Sequence, residues 1–160
     1  MISTIRTAVP TDASIIFDFI RQLAEYERMT DEVVTNVDQI RAHLFPASGD
    51  PIAHCLLAFE SNKPVGFALY FYNFSTFLGR PGIYLEDLFV SPHHRGQGHG
   101  KAMLRALATV ARDRDCGRLE WCVLDWNQSA IDFYQSLGAT MMSEWTTCRL
   151  NRAGIAQLAG

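Results

Sequence analysis

Charge is scarce in this sequence, and what there is nearly cancels. Charged residues make up 19% of the 160, and the net charge is -3 at pH 7. A general nucleic-acid binder shows a basic face, so no nucleic-acid partner is expected. Long apolar runs are missing too: none approaches the roughly 20 residues that span a bilayer. The opening Ile2-Ser3-Thr4-Ile5-Arg6 lacks the apolar core and cleavage site of a targeting segment. A cytoplasmic protein without a membrane partner is the expectation. The four cysteines, Cys55, Cys116, Cys122 and Cys148, contain no C-x-x-C pair. That argues for reduced thiols rather than disulfides or structural zinc. No tract is poor enough in apolar residues to be disordered, and no internal repeat is visible.

What is present is enough apolar material, 48% of residues, for one core. A single domain over 1–160 is expected. Ile2 to Val9 reads as a strand. Pro10-Thr11-Asp12 then turns into a helix capped by Thr11, in which Ile16, Phe19, Ile20, Leu23 and Tyr26 follow helical spacing. A second helix is predicted from Val37 to Leu44. Ala53 to Glu60, Val65 to Asn73 and Gly82 to Val90 read as three strands of an antiparallel meander. A helix from Lys101 to Asp115 buries Met103, Leu107, Val110 and Ala111 and is ended by Gly117. A strand from Arg118 to Val123, a helix from Ser129 to Leu137 stopped by Gly138, and a last strand within Thr140 to Leu150 complete the order. The fold class is α/β (α+β), a single mixed, mostly antiparallel sheet with helices on both faces.

The most informative stretch joins strand, glycine loop and helix: Leu88-Phe89-Val90, then Arg95-Gly96-Gln97-Gly98-His99-Gly100-Lys101. Amides at a helix N-terminus are unpaired and carry partial positive charge. Glycines let that backbone approach a phosphate, so the loop suits a pyrophosphate. Arg95 and Lys101 add charge at its edges. The dinucleotide fingerprint fails, because its last glycine falls on Lys101 or Met103. The P-loop fails as well, with Arg95 in place of its first glycine and Ala102 in place of its hydroxyl.

Arg95-x-x-Gly98-x-Gly100 behind an apolar strand resembles the pantetheine-pyrophosphate loop of the GNAT acetyltransferases. Asn127-x-x-Ala130-x-x-Phe133-Tyr134-x-x-x-Gly138-Ala139 resembles their second cofactor motif. The resemblance covers nearly the whole chain. It implies acetyl-coenzyme A as co-substrate. No metal is expected, because the adjacent His93 and His94 have no third ligand nearby in the sequence and read as solvated. Leu88, Phe89, Val90, residues 95–101, Asn127, Phe133 and Tyr134 would lie at the cofactor. Tyr134 would donate a proton to the leaving thiolate, and the strand backbone at Leu88 to Val90 would hold the oxyanion. The chemistry agrees: from a phenol of pKa about 10 to a thiolate of about 8.5, proton transfer is uphill by roughly 2 kcal/mol.

The amine must also lose a proton, since an alkylammonium is neutral in only about four molecules per ten thousand at pH 7. Glu27, Glu86 and Asp87 are the candidate carboxylates. Glu86 and Asp87 would face opposite ways in a regular strand, unless it is bulged. Leu23 to Met29, Gly66 to Tyr72 and Tyr84 to Val90 are similar to segments of the diamine (spermidine/spermine) N-acetyltransferase subfamily. By that resemblance Tyr26 and Glu27 would line an amine channel, with Glu86 and Asp87 near the reacting nitrogen. It also implies a homodimer and a small-molecule amine, a polyamine or a lysine-like amino acid. The alternatives are a protein or aminoglycoside acetyltransferase, or a non-catalytic acetyl-coenzyme A-binding module.

Overall fold

The computed structural model describes residues 4–160, so Ile2 of the predicted first strand lies outside the described residues. The chain forms two compact units, 4–122 and 123–160. In the first, β1 (Thr4–Thr7), β2 (His54–Glu60), β3 (Lys63–Ser75), β4 (Arg80–Val90) and β5 (Arg118–Trp121) form one sheet in chain order. The first four strands are antiparallel neighbours, and β4 and β5 run parallel. Helices α1 (Ala13–Glu27) and α2 (Val37–Leu44) precede β2, and α3 (His99–Asp113) crosses from β4 to β5.

Strand alternation sorts the side chains. Leu57, Phe67 and Phe89 are paired across three strands and lie on the face that α1 covers, where Phe19 stacks on Phe67 at 5.7 Å. On the other side α3 packs with Met103, Leu104, Leu107 and Ala111 buried. Gly66 marks how close that packing is. A Cβ there would lie 2.5 Å from the Phe89 carbonyl oxygen and 3.2 Å from Met103 Cε. The turn between β2 and β3 places both Ser61 and Asn62 at positive φ, the geometry of a tight two-residue hairpin.

Two irregularities of β4 position everything that follows. Leu69 pairs with Asp87 but the next residue, Tyr70, pairs with Leu85, so Glu86 is an extra, bulged residue. Ile83 and Leu85 therefore share a face with Tyr72 and Tyr70, whereas Asp87 and Phe89 lie on the α1 face. The second irregularity is a parting of strands. β5 pairs with β4 only over Gly82–Leu85, and from Glu86 onward no strand flanks that edge among the described residues.

Some expectations are corrected. Thr11 does not cap α1. Pro10–Asp12 is a 3-10 turn, and Asp12 is the residue before the helix. Its carboxylate accepts from the Val9 N–H (2.8 Å) and from both Arg6 terminal nitrogens (2.7 and 2.9 Å), a charge-assisted set that a threonine hydroxyl cannot match. Gly117 does not end α3. Asp115 takes the left-handed conformation (φ 54°), and the Cys116 N–H closes on the Ala111 carbonyl at 2.8 Å. Gly117 serves packing instead, since a Cβ there would sit 2.8 Å from Leu78 Cδ1.

In the second unit, α4 (Gln128–Ser136) is capped by Asn127, whose Oδ1 accepts from the Ala130 N–H at 3.3 Å. Gly138 at φ 89° and the Ala139 N–H bonded to the Tyr134 carbonyl end it. The strand expected within Thr140 to Leu150 is not formed. That stretch is exposed, and its backbone bond is a turn from the Trp145 N–H to the Met142 carbonyl, not a ladder. A strand needs a neighbour for its amides, and the apolar residues there have no regular alternation to bury. A helix that sequence reading missed, α5 (Arg152–Ala159), follows with Asn151 as its cap.

Candidate active site

The glycine loop leaves β4 through a 3-10 turn at Pro92–His94 and enters α3. Gly96 and Gly98 both have positive φ, 73° and 88°, and a Cβ at either would meet nothing within 4 Å. Their requirement is thus conformational: the left-handed backbone is open to glycine and strained for other residues. Alternating hand along a loop turns successive N–H groups toward one concavity, which favours an anion. The first bond of the helix runs from the Ala102 N–H to the Gly98 carbonyl, so the amides before it have no acceptor within the helix. Arg95, Gln97 and Lys101 are exposed, and Gly100 is half-buried.

Arg95 fixes the loop to the strand. Its Nε donates to the Val90 carbonyl at 3.0 Å, and its guanidinium lies 4.2 Å over the Tyr26 ring and 5.5 Å from that of Phe89. Tyr26 is therefore packed beneath an arginine, and Phe89 is 3% exposed with its ring in the core. Of Phe89 only the backbone is placed for a ligand. Leu88 and Val90 are half-buried beside the unflanked edge.

The bulge resolves the problem of the two acids. Glu86 is exposed and Asp87 is half-buried on the α1 face, where Glu27 stands at the last position of the helix. Asp87 is pushed up to about 7, first by burial and then by the negative charges of Glu86 and Glu27. Burial alone raises Glu27. Among the described residues none of these three carboxylates makes an ion pair. The structure thus brings together Tyr26, Glu27, Glu86, Asp87, Phe89 and Arg95. Asn127, Phe133 and Tyr134 belong to the second unit, where Tyr134 is 8% exposed and its ring lies 5.4 Å from that of Phe133.

Sequence reading missed one cluster. It treated His93 and His94 as solvated for want of a third ligand nearby in the chain, and His99 as part of the cofactor loop. His93 is exposed, but His94 Nδ1 lies 2.6 Å from Glu60 Oε2. His99 is buried with its Nε2 3.6 Å from the same oxygen. Nothing in spacing signals Glu60, which the sheet carries to the loop from the end of β2.

Residues 18–139 match the model of the Acetyltransferase (GNAT) family. A thialysine N-epsilon-acetyltransferase of Bos taurus is 40% identical over 98% of this chain and 96% of its own length. A spermidine/spermine N(1)-acetyltransferase-like protein 1 of Homo sapiens is 34% identical over 97% of this chain and 23% of that longer protein. The fold is similar to a solved integron cassette protein of V. cholerae, with a TM-score of 0.80 and 28% identity over 99% and 98% of the two chains.

Proposed function

The chain belongs to the GNAT acetyltransferase family, and from that premise we propose that it moves the acetyl group of acetyl-coenzyme A to a primary amine of a small cation, a polyamine, a diamine or a lysine-like amino acid. The observation that carries the substrate class is Asp87 with Glu86 and Glu27: three neighbouring carboxylates, one half-buried, with no ion-pair partner among the described residues. A site that leaves such charge uncompensated is complementary to a cation supplied from outside. A relative acting on thialysine, itself an amino acid with a side-chain amine, supports the same class.

The donor fits the loop. Positive-φ glycines and helix-end amides suit a pyrophosphate, with Arg95 and Lys101 at its rim. The unflanked edge of β4 at Leu88 to Val90 offers backbone donors to the acyl carbonyl as it becomes an oxyanion. Asn127 and Phe133 would contribute to holding the pantetheine arm.

In the reaction the ammonium first gives a proton to the Asp87–Glu86 pair. Raising Asp87 from 3.8 to about 7 leaves that transfer uphill by about 3 units from an amine of pKa about 10.4, instead of more than 6. The neutral nitrogen then attacks the thioester carbon, the C–N bond forms and the C–S bond breaks. Tyr134 protonates the departing thiolate. Tyr26 and Glu27 line the amine's approach, and the working form is a homodimer.

The test is thiol release from acetyl-coenzyme A with thialysine, lysine, ornithine, putrescine and spermidine. Wild type should release thiol only with an amine present, and Tyr134→Phe should lower kcat about 10²-fold. Well-folded protein that takes up the coenzyme without amine-dependent release would end the transferase reading. Full activity in Tyr134→Phe would remove the tyrosine from the mechanism.

A further inference from the structure

We propose that Glu60, His94 and His99 form a site for one divalent transition cation of the zinc class, which clasps both ends of the glycine loop to the end of β2. The two imidazole nitrogens and the carboxylate oxygen lie within 4.8 Å of one another. Glu60 Oε2 is already 2.6 Å from His94 Nδ1 and 3.6 Å from His99 Nε2. Ligands around a tetrahedral zinc, at bonds of about 2.0–2.2 Å, stand roughly 3.4 Å apart, so small side-chain rotations complete the geometry. Three protein ligands leave the fourth position to water.

The donors sit on regular structure: the last residue of β2, the last of the 3-10 turn and the first of α3. Such positions hold a site more rigidly than loop residues do. Burial favours the cation too. The His99 side chain is 1% exposed and that of Glu60 11%, while His94 at 33% leaves a path from solvent. Among the described residues the ion-pair partners of Glu60 are these two histidines alone. A bound dication would satisfy the carboxylate more fully than a neutral imidazole does, and His94 would bind through Nδ1 as the tautomer that carries its proton on Nε2. Two imidazoles and one carboxylate select zinc, cobalt or nickel over the all-oxygen preference of calcium and magnesium. His94 and His99 bracket Arg95-Gly96-Gln97-Gly98, so an occupied site ties down both ends of that loop.

Cobalt(II) and zinc(II) titrations of the chelator-treated, folded chain test this without reference to turnover. Cobalt should bind at one ion per chain with visible ligand-field bands and no intense thiolate-to-cobalt band. Zinc measured by calorimetry should bind likewise, and Glu60→Gln and His94→Ala should each weaken both metals at least about tenfold. His99 is a core residue whose replacement can unfold the protein, so those two variants, checked by circular dichroism, carry the test. Absence of saturable binding, affinity unchanged in both variants, or a thiolate band showing that cysteines hold the metal would each overturn the site.

Discussion

Asp12 is buried and Asp87 half-buried, and their surroundings push these two aspartates in opposite directions. Asp12 is 4% exposed, and the hydrogen bonds from Arg6 hold its carboxyl below the usual range, helped by the Val9 N–H and opposed by burial. Asp87 has no such partners among the described residues. Burial and two neighbouring acids raise it to about 7. A carboxylate whose charge is answered inside the chain serves the fold. One whose charge is left unanswered awaits a ligand or a proton, and perturbation of that kind concentrates at functional sites.

Three measurements can break or sharpen the contrast. The largest effect expected is on turnover. Asp87→Asn should lower kcat/KM for the amine about 10²–10³-fold, and wild-type kcat/KM should rise with pH through a midpoint near 7 as Asp87 ionises. A flat profile with an active variant would remove Asp87 from the chemistry. Next is the structural aspartate. Asp12→Asn should cost about 2–3 kcal/mol in urea unfolding at pH 7 and leave the amine KM unchanged in the folded fraction. Its contribution is present above the unfolded pKa of about 3.8 and is lost as pH falls through the lower folded value. Equal stability of variant and wild type at pH 7 would contradict this. The smallest effect has the opposite sign. Asp87 favours its protonated form when folded, so its contribution is full below about pH 4 and lost as pH rises through about 7. Asp87→Asn should therefore stabilise the protein by about 1–2 kcal/mol at pH 8 and by little at pH 4. Destabilisation at pH 8 would show that the carboxylate has a partner after all.

The sheet was readable because meander strands alternate strictly and turn within a few residues. β2, β3 and β4 fall within two residues of their expected bounds. α2 has the predicted limits because Asn36 and Gln39 cap each other's backbone, a signal written in adjacent residues. The glycine loop was readable for the same local reason. Positions that depend on distant partners were not. The bulge at Glu86 exists only relative to β3, and Glu60 meets His94 and His99 only once the sheet is assembled. The stretch Thr140 to Leu150 looked like a strand because composition cannot say whether a neighbour will accept its hydrogen bonds. Asp12 displaced Thr11 as the residue organising α1 through an arginine on another element.

The extra residue at Glu86 makes length matter more than identity in this strand. Everything from Asp87 to Val90 owes its side of the sheet to that added residue: the same letters in an unbulged strand would turn the acid toward α3 and drive Leu88 under α1, whereas removing Glu86 would close the bulge and leave both rows where they are. Substitutions along β4 alter one side chain at a time, whereas a change of length that the bulge does not absorb exchanges the inner and outer rows together. A relative with a gap at Glu86 would keep its acid on the α1 face in a regular strand, whereas one that holds the full length without the bulge would carry the same letters with the opposite geometry.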